Sequence, residues 1–245
     1  MARGHTNDKE EDAGGGAARS GRSIPDINRY IDHTLLRPEA TREQIRKLVR
    51  EAREHDFYTV CVNGCWTAYC ASELDGTSVG VATVVGFPLG AMATRIKAAE
   101  AEAALSDGAT EIDMVVNVGA LKDGDLDRVR DDIAAVTRMT GDERVTKVII
   151  ETVLLTEEEK VLACRIAEEA GAGFVKTSTG FLGGGATVAD VELMRKAVGS
   201  HVKVKASGGI RDREQAAAMI HAGASRLGTS AGVAIVTGGS GAQAY

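Results

Sequence analysis

GAGFVKTSTGF, residues 171–181, is a short apolar strand pattern that delivers one lysine, Lys176, into a cluster of small hydroxyl and glycine residues. Burial disfavours an ammonium, so a lysine inside an apolar strand is costly unless the site uses it. The same cost lowers the amine's pKa and can make it a nucleophile towards a carbonyl carbon. Two other segments enter a strand in the same way, DGATEIDMV from Asp107 and AGASRLGTS from Ala222. Glycine after a helix takes up the left-handed cap, so each Gly-Ala marks a helix handing over to a strand. Five residues beyond Gly108, Gly171 and Gly223 stand Asp113, Lys176 and Gly228. If the three units are built alike, a carboxylate, an amine and a bare backbone share one level, as in a site rather than a core layer. The plainer reading is that Gly-Ala before a strand is common and the echo accidental.

Helix starts recur between such strands. Thr41 with Gln44, Thr156 with Glu159 and Asp212 with Gln215 fit or approximate the box in which N-cap and N3 side chains satisfy each other's backbone donors. Ile45, Leu48, Val49 and Ala52 mark one helical face; Leu126, Val129, Ile133 and Val136 mark another. Candidate strands are Tyr30–Asp32, Tyr58–Val62, Val79–Val85, Glu111–Val116, Lys147–Glu151, Gly173–Thr177, Val202–Lys205 and Arg226–Gly228. Continuous apolar runs such as VATVV and KVII suit a parallel sheet covered on its outer face. Eight strand-then-helix units in 245 residues predict an α/β fold, a (β/α)8 barrel of the TIM type. Such a barrel typically needs about 250 residues.

The barrel is expected over residues 23–245 as a single domain. Residues 1–22 carry mixed charge, a Gly-Ala stretch and almost no large apolar side chains, so a disordered tail is expected there. A hydrophobic content of 44% and a charged content of 26% are those of a soluble protein with a sizeable core. A net charge of -6 argues against nucleic acid as a partner. No apolar run is long enough to span a bilayer and no signal peptide opens the chain, which predicts no membrane partner and a cytoplasmic location. Cys61, Cys65, Cys70 and Cys164 lack zinc-finger spacing, and the chain is long for a disulfide scaffold. They are expected as reduced thiols, with no metal bound.

In a closed parallel barrel, functional groups collect where the strands end and in the loops that follow. Asp113 interrupts EIDMVVN and shares its side of the strand with Glu111 and Val115. A buried ion pair or a general acid/base would each account for it. Lys205 in VKVKASGG shares its side with Lys203, about 6.6 Å along the strand. A lone strand lysine is more often at the surface. Two of them, each followed by small residues and joined by a strand aspartate, favour chemistry. The loops Ser207-Gly208-Gly209 and Gly228-Thr229-Ser230, extended by Gly180, let backbone N–H groups approach an anion, and phosphate commonly binds at this place in a barrel. Lowering a lysine from about 10.4 to near 7 costs roughly 4–5 kcal/mol, within reach of burial plus a neighbouring ammonium. The residues thus point to Schiff-base chemistry on a phosphorylated carbonyl compound, without naming it.

The motifs DHTLL (32–36), VCVN (60–63), VGFPLG (85–90), EIDMVVNVGAL (111–121), FVKTSTGF (174–181), VKASGGIR (204–211) and RLGTSAG (226–232) resemble the deoxyribose-phosphate aldolase family, in the family's order. The resemblance implies a metal-free, cofactor-free lyase that reversibly cleaves 2-deoxy-D-ribose 5-phosphate to D-glyceraldehyde 3-phosphate and acetaldehyde. It makes Lys176 the Schiff-base lysine, Lys205 the second lysine that tunes it, and Asp113 the proton-transfer carboxylate. It gives the phosphate to Gly208, Gly209 and the Gly228–Ser230 loop, places Asp32 and Thr34 near the substrate, and matches Cys61 to a strand cysteine of many relatives. Phosphosugar and aldehydes are then the small-molecule partners, and a homo-oligomer, dimer or tetramer, is the expected assembly. Gly64 replaces a proline common after VCVN, and Phe181 stands where some members carry a lysine. Some relatives end in a tyrosine that reaches the site, which makes Tyr245 a candidate for proton transfer, against the plainer reading of a frayed end. Two other readings stay open: another lysine-dependent aldolase, and a catalytically silent phosphosugar-binding barrel.

Overall fold

Short strands alternate with amphipathic helices throughout the computed structural model, which describes Met1 and residues 24–241. The rest of the expected tail and the terminal Tyr245 lie outside the described residues. Strands β1 (Ile31–Leu35), β2 (Thr59–Val62), β3 (Gly80–Val85), β4 (Glu111–Val115), β5 (Val145–Ile149), β6 (Phe174–Lys176), β7 (Lys203–Ser207) and β8 (Arg226–Thr229) pair in parallel, each with the next. β8 pairs back onto β1 and closes the barrel. The helices are α1 (Arg42–Glu54), α2 (Thr67–Glu73), α3 (Thr94–Ser106), α4 (Val118–Lys122), α5 (Leu126–Thr140), α6 (Glu157–Glu169), α7 (Val188–Ala197), α8 (Arg213–His221) and α9 (Gly232–Thr237). The predicted (β/α)8 barrel is therefore present, with two helices instead of one after β4.

The local signals act as their chemistry dictates. Thr41 with Gln44 and Thr156 with Glu159 complete both halves of the capping box. Asp212 accepts from Gln215 N, but Gln215 turns its Oε1 to Arg211 N, so the third box is only half formed. α1 buries Ile45, Leu48, Val49 and Ala52, and α5 buries Val129, Ile133 and Val136. Strand bounds shift by two residues or more from expectation at β1, β5 and β7, the last running on past Lys205 to Ser207. β1 runs on past Asp32 to Leu35, because Thr34 and Leu35 pair with Cys61 and Val62 of β2. β5 starts at Val145 and ends at Ile149; Glu151 leaves the sheet in a left-handed conformation, φ 57°.

The two faces of the sheet have opposite chemistry. Outward-facing Val60, Ile112, Val148 and Val204 pack with Ile45, Val49, Ile133 and Ile166 of the helix layer in one continuous core. Each such side chain, fully buried, contributes about 1.5–3 kcal/mol. Inside the barrel the strands instead turn Asp32, Glu111, Asp113, Lys147, Lys176, Lys205 and Arg226 toward one another, all buried. Ions survive there only when each is paired and hydrogen-bonded. Towards the strand C-termini, Leu36, Cys61, Ala82 and Val84 form a separate apolar cluster with Phe87 and Phe181.

Candidate active site

Asp113 sits at the centre of the interior ions. Its Oδ1 accepts from Lys147 Nζ at 2.6 Å, and its Oδ2 accepts from both Lys176 Nζ and Lys205 Nζ at 2.7 Å. Lys205 also reaches Asp32 Oδ2 at 2.5 Å, and Lys147 reaches Glu111 Oε2 at 2.6 Å. Arg226 closes the lower end. Its Nη1 lies 2.8 Å from Asp32 Oδ1 and 2.9 Å from Glu111 Oε2, with the guanidinium 3.5 Å over the Tyr58 ring. Register explains the convergence: Lys205 pairs with Lys176 on one side and Arg226 on the other, while Asp113 pairs with Lys147.

Four cations share three carboxylates, so the interior carries one surplus positive charge when every group is ionised. The least supported cation is Lys176. Among the described carboxylates it meets only Asp113, whereas Lys205 meets two and Lys147 three, the third being Asp32 at 3.9 Å. Burial, helped by the Lys205 ammonium, pushes Lys176 below the usual lysine range against the pull of Asp113. Burial works on Lys205 in the same sense but is outweighed by Asp113 and Asp32, which hold it above that range. Burial would raise Asp113, yet Lys147, Lys176 and Lys205 together hold it well below the usual carboxylate range. Losing one proton from Lys176 makes the cluster neutral, and the geometry selects that amine to lose it.

The structure brings Asp113, Lys176 and Lys205 together with Asp32, whose carboxylate is held between Lys205 and Arg226. Thr34 turns its hydroxyl to its own strand, donating to Asp32 O at 2.8 Å. Cys61 lies in the apolar cluster at the mouth, and burial pushes its thiol up, which keeps it neutral. Gly228 makes room: a Cβ there would stand 3.0 Å from Lys205 Cε and 2.9 Å from Ser207 Cβ. Gly180, Gly208 and Gly209 all take positive φ, 84°, 86° and 80°. The Gly208 backbone packs closely on Gly185, whose Cα would stand 2.9 Å from a Cβ on Gly208, with Gly180 Cα in ordinary contact at 3.7 Å, whereas Gly209 faces open space. Thr229 commits its hydroxyl to the turn, donating to Ile210 O and accepting from Ala231 N. Ser230 follows beside the start of α9.

Sequence reasoning missed Lys147 and Arg226 as members of the cluster and treated Glu111 only as a strand neighbour. Parity held the signal: Glu111 is two residues before Asp113, and Arg226 two before Gly228. Glu151 was also missed. Its Oε2 accepts from Thr179 N and Thr179 Oγ1 and fixes the turn that follows Lys176.

A closed parallel barrel whose mouth joins a buried lysine pair on a shared carboxylate to glycine-rich turns defines a (β/α)8-barrel enzyme of the lysine-centred kind. The chain belongs to the DeoC/LacD family of aldolases, whose family model matches residues 27–238. It is 64% identical over 212 residues to the deoxyribose-phosphate aldolase of Brevibacillus brevis, covering 86% of this chain and 96% of that one. It is 61% identical over 214 residues to the same enzyme of Bdellovibrio bacteriovorus, covering 87% and 97%. Among solved structures it resembles the tetrameric deoxyribose phosphate aldolase of Aeropyrum pernix, at 33% identity and a TM-score of 0.81, covering 86% of this chain and 90% of that one.

Proposed function

We propose that the protein reversibly cleaves 2-deoxy-D-ribose 5-phosphate to D-glyceraldehyde 3-phosphate and acetaldehyde through an imine on Lys176. The observation that carries this is the shared Asp113 carboxylate, which holds Lys176 beside an ammonium that stays protonated. Neutral Lys176 attacks C1 of the open-chain sugar, and the carbinolamine loses water to give an iminium. The iminium is the electron sink, so the chemistry needs neither metal nor cofactor. Removal of the C3 hydroxyl proton breaks the C2–C3 bond, its electrons form the enamine, and glyceraldehyde 3-phosphate leaves. Protonation at C2 and hydrolysis release acetaldehyde and restore the amine. Asp113, held ionised, is the proton acceptor, and Lys205, held protonated, is the donor, with water between them and the substrate. The Gly208–Gly209 turn, Gly180 and the Gly228–Ser230 loop are assigned to the phosphate, and the apolar cluster around Cys61 to the two-carbon fragment. A tyrosine at position 245 remains a candidate for delivering the C2 proton. The enzyme would work in the cytoplasm, in breakdown of deoxyribose phosphate, as a homo-oligomer like its tetrameric relative.

Borohydride trapping with acetaldehyde or deoxyribose 5-phosphate, followed by peptide mass mapping, tests the assignment. A reduced adduct on Lys176 that is absent from Lys176→Ala is expected. An adduct on Lys205 would exchange the two lysines' roles. No adduct on a folded protein that still binds phosphosugar would overturn the mechanism in favour of a silent binder. Cleavage of other phosphosugars in preference to the deoxyribose phosphate would favour another lysine-dependent aldolase.

A further inference from the structure

Ser207 ends β7, two residues beyond Lys205, so its side chain faces the same barrel interior. It is 4% exposed, and its hydroxyl has no hydrogen-bond partner among the described residues. Its backbone is fully engaged. Ser207 N donates to Thr177 Oγ1 at 3.1 Å, and Ser207 O accepts from Thr177 Oγ1 at 3.1 Å and Ala186 N at 3.0 Å. The backbone that carries the hydroxyl is therefore fixed, while the hydroxyl itself lacks a bond. Ser207 Oγ and Lys205 Cε lie 3.2 Å and 3.0 Å from the same point, where a Cβ on Gly228 would be. The next residues are the left-handed glycines Gly208 and Gly209. A buried hydroxyl without a partner costs about 1–3 kcal/mol, and such a group in a native fold calls for an explanation.

We propose that Ser207 Oγ is a specificity determinant that hydrogen-bonds the hydroxyl on the carbon beside the phosphorylated one, the C4 hydroxyl of the open-chain sugar. The inference rests on the aldolase reading above. In that reading the lysine pair takes C1 to C3, and the Gly208–Gly209 turn takes the phosphate. Ser207 stands between these two places both in sequence and in space, where the only polar group of the substrate left unassigned is the C4 hydroxyl. A site built to bond a hydroxyl discriminates against the analogue without it, because its own buried group is then left unpaired.

The test compares two acceptors for acetaldehyde: glyceraldehyde 3-phosphate and 3-oxopropyl phosphate, which lacks the hydroxyl. The native enzyme is expected to prefer the first by about tenfold or more in kcat/KM, the value of one satisfied hydrogen bond. In Ser207→Ala the preference should fall to near unity. Self-addition of acetaldehyde, which carries no such hydroxyl, and borohydride trapping on Lys176 should proceed at the native rate. A variant that keeps the acceptor preference overturns the proposal. So does one that loses acetaldehyde self-addition in the same proportion, since that marks a structural role. A native enzyme that traps nothing and uses neither acceptor overturns the parent reading, and this one with it.

Discussion

Lys205 reaches Asp32, Nζ to Oδ2 2.5 Å, by passing over the intervening strand at Gly228. Gly228 pairs with Asp32 on one side and Ser207 on the other. Its φ is not in the left-handed region, so the backbone accepts alanine and only the side-chain space is contested. Gly228→Ala puts a methyl 3.0 Å from Lys205 Cε and 2.9 Å from Ser207 Cβ. Overpacking of this kind costs about 1–3 kcal/mol. The expected result is a modest fall in the urea midpoint with a larger loss, about tenfold or more, in kcat/KM for cleavage, as Lys205 is displaced from its two carboxylates. Native kcat/KM in a folded Gly228→Ala would show that the path of Lys205 is immaterial.

The depressed Lys176 sets a pH dependence. Imine formation needs the neutral amine, so the trapping rate should rise with pH through a pKa below the 10.5 of an ordinary lysine. The Lys205 ammonium is one cause of the depression. Lys205→Met removes that repulsion and frees Asp113 to hold the Lys176 proton, so both changes raise its pKa. The ascending limb of borohydride trapping with acetaldehyde should move to higher pH in Lys205→Met. A limb that stays or moves lower would mean that burial alone governs Lys176.

The carboxylates act on stability at the opposite end. Asp113, and Asp32 with it, are held below the 3.8 of an unfolded aspartate, despite burial, by the surrounding cations. A depressed carboxylate contributes stability above its unfolded value and loses it as pH falls through the folded one. Asp113→Asn should therefore be much less stable than the native protein at pH 7, by about 3–5 kcal/mol for breaking a buried charge cluster. The gap should narrow as pH drops below 3.8. Urea midpoints measured from pH 7 to pH 2 decide it: a gap constant across that range would place the cost in packing, not in charge.

The barrel was legible because each of its signals is local. A capping threonine with glutamine or glutamate at N3, a Gly-Ala before a strand and an apolar run are each decided within a few residues. Lys176, Asp113 and Lys205 could be read for a related reason, since a charged residue inside an apolar strand is conspicuous. Lys147 and Arg226 escaped notice because each directly follows a polar residue, Thr146 and Ser225, where a cation looks ordinary. Only the closure of β8 on β1 turns them inward, and closure is not a local property. Gly228 has a second use that only the closed barrel reveals. A glycine before Thr-Ser suggests an anion cradle in sequence, and in space its missing Cβ also leaves room for Lys205 of the neighbouring strand.

Asp132 gives the last case, a charge on the buried face of α5 that apolar spacing does not announce. Its Oδ2 lies 2.5 Å from Lys97 Nζ, its Oδ1 accepts from Thr94 Oγ1 at 2.9 Å, and Lys97 also donates to Val115 O at 2.8 Å. Lys97 thus ties α3 to α5 and to the end of β4, and its stem lies under the loop after β3, where a Cβ on Gly86 would meet Lys97 Cε at 2.9 Å. Both ions are buried, so removing one leaves the other uncompensated, at a cost of about 3–5 kcal/mol, while replacing both by apolar groups is often close to neutral. Lys97→Met and Asp132→Leu should each lower stability by that amount. The double variant should recover most of it, giving a coupling energy of at least about 2 kcal/mol in a double-mutant cycle read by urea unfolding. Additive losses would instead show that Lys97 matters chiefly through its bond to Val115 and its packing under Gly86.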